Sequence, residues 1–175
     1  MINTEVNLII NEDKWSSELS DIDNTISHII SLVVNFVNTN EPLELFALNK
    51  PLSFNICLSN DDEVHSLNYE FRKQDKPTNV LSFANIDDEE FESFIQNDDI
   101  IEMGDIIIAL ETMQKEAAEK KISLHNHFCH LLTHGALHLL GYDHIDDDDA
   151  EHMEGFEIKI LNSLNIENPY NEDIK

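Results

Sequence analysis

Cysteine is scarce in this chain. Cys57 and Cys129 are its only two, they form no Cys-x-x-Cys pair, and each sits among apolar neighbours as a small core residue would. That usage fits reduced thiols in a cytoplasm. Basic residues are also few: 10 Lys and Arg stand against 36 Asp and Glu, a formal net charge of −26. Such a balance argues against a general nucleic-acid binder, because phosphate contacts need Lys and Arg. It leaves room for a local site, since the field depends on where charges lie and a bound divalent cation concentrates positive charge at one point. No stretch approaches the run of about 18 apolar residues that a membrane span needs. The start, MINTEVNLII, has neither a basic n-region nor a small-residue cleavage site, so no export signal is expected. With 175 residues, 41% of them hydrophobic, the expectation is one domain burying roughly two thirds of its unfolded surface.

Histidine is what the chain does supply. Residues 134–144, HGALHLLGYDH, carry His134, His138 and His144 in the order His-x3-His-x5-His. Four helical residues turn through about 400°, so His134 and His138 share a face one turn apart. Gly141 can end the helix in the left-handed conformation, and His144 can then swing back toward the other two. Three neutral imidazoles converging in this way make a divalent-metal site. Zinc is the first choice by ligand type, one ion per chain, with a fourth position left for water. The spacing matches the extended zinc motif of metzincin proteases, except that Gly135 stands where the protease carries its general-base glutamate. His130, one turn above His134, is a candidate to anchor a ligand ring, or simply a half-buried polar residue.

Around this motif the pattern predicts strands over Glu5–Asn11, Leu52–Ser59, Val80–Ala84 and Ile106–Leu110, the last central in the sheet. It predicts helices over Trp15–Val37, from a cap at Asp61 or Asp62 to about Phe71, over Glu111–Lys121, and from a Ser123 cap through Leu124 to about Leu140. Met153, Phe156, Ile160 and Leu164 give a last helix its apolar stripe, with Asp146–Asp149 at its start where the dipole favours acids. Asp87–Asp99, rich in carboxylates, reads as a solvated loop. Arg72, Lys73 and Lys76 form the densest basic group, and composition alone fits a solubilising helix end and a phosphate-binding patch equally. The expected fold class is α/β (α+β): a small mixed β-sheet of about four strands packed against helices, with the metal site on a helix-turn. A single domain over residues 1–165 would carry it, with 166–175 a frayed tail.

Three segments carry a family resemblance: LNYEFRKQDKPTNVLSFA at 67–84, MGDIIIA at 103–109 and HLLTHGALHLLGYDH at 130–144. Together they resemble the YbeY endoribonucleases, the bacterial rRNA maturation factors. Asn79 and Ala84 depart from the family's usual Thr-Asp-Val-Leu-Ser-Phe-Pro run, and Lys73-Gln74-Asp75 follow the arginine. The resemblance implies a zinc-dependent, single-strand-specific endoribonuclease acting in 16S rRNA 3′-end maturation and 70S ribosome quality control. His134, His138 and His144 match the family's metal ligands, and Arg72 matches an arginine regarded as functional. His134 and Arg72 are then the residues expected to carry catalysis, with Asp143 or His130 supporting the ligands and Lys73 and Lys76 touching RNA phosphates. No residue is assigned as general base. The expected partners are single-stranded and ribosomal RNA in the small subunit, with no DNA and no membrane, for a cytoplasmic monomer. Two alternatives stand beside this: a metzincin-like metalloprotease, and a non-catalytic ribosome-binding factor whose zinc only holds the fold.

Overall fold

The computed structural model describes residues 1–73 and 78–170. The sheet has four strands: β1 (Thr4–Ile10), β2 (Leu52–Ser59), β3 (Val80–Ala84) and β4 (Ile101–Ala109), in the order β1-β2-β4-β3. β1, β2 and β4 run parallel, and β3 pairs antiparallel with β4 at the edge. Alternation sorts the side chains. Phe54, Ile56 and Leu58 of β2 and Ile106 and Ile108 of β4 join the main core, while Cys57 and Ile107 face the other side. Gly104 (φ 132°) lets β3 approach β4, for a Cβ there would collide with the Phe83 carbonyl oxygen.

Among the described residues seven helices flank the sheet: α1 (Lys14–Glu18), α2 (Ile22–Asn40), α3 (Asp61–Arg72), α4 (Phe91–Asn97), α5 (Leu110–Lys120), α6 (Leu124–Leu139) and α7 (Asp147–Ser163). On the main core face α6 packs against α2, α7, β3 and β4. Opposite, α3 covers a smaller cluster built on Val64, Leu81 and Ala109. No helix among the described residues is long and apolar enough to cross a membrane.

Four expectations need correction. The helix expected over Trp15–Val37 is broken, with Leu19 extended and Asp21 left-handed (φ 52°). Trp15 directs the break: its ring is fully buried against Phe128 and its Nε1 donates to the Ser59 carbonyl at 2.8 Å, which sets α1 apart from the α2 stripe. The α3 cap is Asn60, whose Oδ1 accepts from Glu63 N at 2.9 Å. Asp61 serves α5 instead, accepting from Thr112 N and Oγ1 at 3.0 and 2.8 Å. The acidic stretch 87–99 contains α4, because Phe91 and Ile95, four apart, can be buried together while the acids stay outside. Finally, Ile166 is buried in the core and Tyr170 is hydrogen-bonded to Glu157, so the chain is held in place to residue 170. Residues 171–175 of the expected tail lie outside the described residues.

Candidate metal centre

α6 starts as its sequence directs, with Ser123 Oγ accepting from Asn126 N at 3.1 Å. It ends in a Schellman turn. Gly141 (φ 101°) donates to the His138 carbonyl at 3.0 Å, and Tyr142 N donates to the Leu137 carbonyl at 3.0 Å. The turn is pinned at Tyr142, whose hydroxyl donates to Glu41 Oε1 at 2.7 Å and whose ring packs on Phe156. Asp143 Oδ1 accepts from His144 N at 2.6 Å. His144 therefore arrives beside the helix, its ring centre 5.2 Å from that of His134 and 5.0 Å from that of His138.

The three imidazoles present ligand atoms within 4.8 Å of one another and could hold a metal ion; among the described residues the group has these three members. Their hydrogen bonds decide which nitrogens face inward. His138 Nδ1 lies 2.9 Å from the Tyr142 carbonyl, which can only accept, so Nδ1 carries the proton. His134 Nδ1 donates in the same way to Glu157 Oε2 at 3.1 Å. With both rings neutral, both Nε2 atoms are lone pairs, and they face each other at 3.0 Å. Neither can donate to the other, which is the arrangement a bound cation satisfies. Burial, followed by the neighbouring His134 and His144, lowers the His138 pKa to about 4, so this ring is neutral at pH 7.

Glu157 of α7 holds the centre from behind, and no sequence expectation named it. It is fully buried. Its Oε1 accepts from His130 Nε2 at 2.9 Å and from the Tyr170 hydroxyl at 2.7 Å, while Oε2 takes His134. Burial pushes this carboxyl up, but the hydrogen bonds from His130, His134 and Tyr170 outweigh burial and hold it at about 2. Burial and the Glu157 charge in turn raise the Tyr170 hydroxyl. One signal was present in the sequence: Glu157 lies beside Phe156 and between Met153 and Ile160 on the apolar stripe, where a carboxylate has no place unless it is paired.

Gly135 explains its own departure from the protease motif. A Cβ there would meet Ile106 Cγ2 at 3.0 Å and Ser82 Oγ at 3.2 Å. The position is a contact between α6 and the sheet, and a glutamate does not fit in it.

A cleft of about 640 Å³ opens over the centre, lined by His134, His138, His144, Arg72, Asp143 and His130 among others. Arg72 reaches it from the last turn of α3, with Nη2 donating to the Ser82 carbonyl at 2.6 Å. Lys73 is elsewhere: it ends α3 in the left-handed conformation, and its Nζ donates to the Glu70 carbonyl at 3.2 Å. Lys76 lies outside the described residues. Asp87, in the stretch read as a solvated loop, lines the cleft as well.

An α/β sheet carrying a three-imidazole group on a helix-turn, with an arginine in the same cleft, defines a class of protein able to hold a metal ion beside an anion-binding side chain. The comparisons make this specific. Residues 9–165 match the family model described as endoribonuclease YbeY. The chain is 41% identical over 169 residues to the endoribonuclease YbeY of Acinetobacter baumannii, spanning 96% of this chain and 99% of that protein. It is 54% identical over 116 residues to the endoribonuclease YbeY of Sphingopyxis alaskensis, spanning 66% and 69%. The fold is similar to the solution structure of TM1509 from Thermotoga maritima, with a TM-score of 0.53 at 19% identity over 98% of this chain and 96% of that one. The chain belongs to the YbeY endoribonuclease family. Membership supports a hydrolase that cuts within RNA.

Proposed function

We propose that the chain is a zinc-dependent, single-strand-specific endoribonuclease of the cytoplasm, acting on the 3′ end of 16S rRNA and in 70S ribosome quality control. The observation that carries the metal dependence is the convergence of three imidazoles, with the His134 and His138 Nε2 atoms 3.0 Å apart and the Nδ1 of each of these two rings turned to an acceptor. His134, His138 and His144 would hold the ion, and zinc suits three imidazoles with one position open. When bound, such an ion polarises a phosphoryl oxygen and makes water more acidic. The chain's own residues do the rest. Arg72 offers a planar fork to the phosphate, and its bond to the Ser82 carbonyl keeps the guanidinium at the cleft wall. Glu157 fixes the His134 ring, and Asp143 fixes the backbone of His144. The ribosomal assignment rests on the family alone.

The protease reading loses its support at position 135, where the base would have to occupy the space of Ile106. A purely structural zinc calls for a fourth protein ligand, and among the described residues the group has three. The test is cleavage of matched single-stranded and duplex RNAs by metal-stripped and zinc-reloaded protein. Single strands should be cut only after reloading and duplexes poorly. Equal cutting of both, or cutting without metal, would overturn the reading.

A further inference from the structure

β3 is an edge strand with two different sides. Ser82 and Ala84 line the cleft, whereas Phe83 belongs to the opposite face, packed like Leu67 and Ile107 against the cluster of Val64, Leu81 and Ala109. Phe71, in the last turn of α3, meets Phe83 edge to face, with ring centres 5.7 Å apart at 71°. Phe71 is nevertheless 61% exposed, while Phe54, Phe91, Phe128 and Phe156 are all buried. Arg72 links this pair to the cleft. It lines the cleft, donates to the Ser82 carbonyl, and carries its guanidinium carbon 5.4 Å from the Phe83 ring centre. Lys73 follows directly and ends α3, with its Nζ donating to the Glu70 carbonyl.

We propose that Phe71, backed by Phe83, is a stacking platform for one unpaired base of an RNA strand that leaves the cleft around the β3 edge. The proposal rests on the endoribonuclease reading and adds the recognition of the base. A phosphate on Arg72 places its neighbouring nucleotide at this corner. Stacking on an exposed ring is indifferent to base identity and holds the unpaired bases of single strands. A duplex keeps its bases stacked inside, so the platform also favours single strands. An arginine over the Phe83 ring, beside the exposed Phe71 and on a chain of net charge −26, suits a polyanion better than an apolar protein surface.

The test uses the full chain and a single-stranded RNA carrying 2-aminopurine, scanned along the positions flanking the cut. One position should be quenched on binding to the parent chain. Phe71→Ala should weaken binding about 5- to 100-fold, as expected for one stacked base. Single-turnover cleavage at saturating RNA should stay within about twofold, because the platform does not touch the reacting phosphate. Phe71→Trp should bind like the parent. Phe71→Leu, which keeps an apolar contact with Phe83 and loses the π-face, should behave like Phe71→Ala. Phe71→Leu binding like the parent, or Phe71→Ala leaving affinity and quenching unchanged, overturns the platform alone. If the parent chain neither binds nor cleaves RNA, the endoribonuclease reading falls and the platform with it.

Discussion

At the scale of the residue, the centre depends on a carboxylate that is buried behind it and does not line the cleft. Glu157 takes hydrogen bonds from His130, His134 and Tyr170 at once, and so sets the tautomer of His134. In Glu157→Gln the side chain keeps its shape, but its amide places a donor against groups that also donate. Zinc affinity, measured by competition with a chelator, should fall about 10- to 100-fold. The same residue gives the metal-free protein an acid limit. Its carboxyl titrates at about 2 when folded, below the ordinary value of 4.5, so its contribution is complete above pH 4.5. That contribution is lost as the pH falls from there toward 2 and amounts to on the order of 3 kcal/mol. Urea midpoints followed across this range should drop steeply for the parent chain and more gently for Glu157→Gln. Arg72 is tested by charge-conserving substitution. Arg72→Lys should lower single-turnover cleavage more than RNA binding, since lysine keeps the charge and loses the two-pronged contact. Cleavage equal to that of the parent would make Arg72 only part of a solvated helix end.

At the scale of the element, α6 and the turn after it were legible because their geometry is local. His134 and His138 share a face through helical periodicity, Ser123 and Gly141 mark the ends, and all three histidines lie within one turn and loop. Glu157 was not legible as a partner, because it comes from α7 and meets His134 only after α6 and α7 pack together. The broken helix at Leu19 had the same cause: the stripe allowed a continuous helix, and a distant acceptor on Ser59 decided against it. Asp87–Asp99 was misread for a different reason, since its charge hid the pair Phe91 and Ile95 that buries α4. Gly135 was read as a missing catalytic group, whereas the structure makes it a packing contact. Gly135→Ala should therefore destabilise the fold by about 1–3 kcal/mol through overpacking against Ile106. Chemical denaturation of the two proteins would show it, and an unchanged midpoint would mean that the α6–β4 contact yields at no cost.

At the scale of the whole molecule, the difficulty is a net charge of −26 in a protein whose substrate is RNA. Composition gives the sum and not its placement. Arg72 and the imidazole group share one cleft, as a focused site requires, but Asp87 and Asp143 line it too. Few phosphates can be contacted there. The slope of binding affinity against salt should correspond to on the order of two to four neutralised phosphates. A steeper slope would point to an extended basic track, whereas Arg72 is the only Lys or Arg among the described residues that line the cleft. On the proposed function the molecule as a whole is a scaffold that brings a metal ion to an RNA phosphate, and one titration tests this directly. Metal-stripped protein is supplied with zinc in steps while cleavage of a labelled single-stranded RNA is followed, for the parent chain and for His138→Ala. Parent activity should rise in proportion to zinc, stop at one equivalent per chain, and be absent throughout for His138→Ala, whose sheet should remain folded by circular dichroism. Cleavage by the stripped parent, or by His138→Ala at the parent's rate, would contradict the three-imidazole centre as the seat of the reaction.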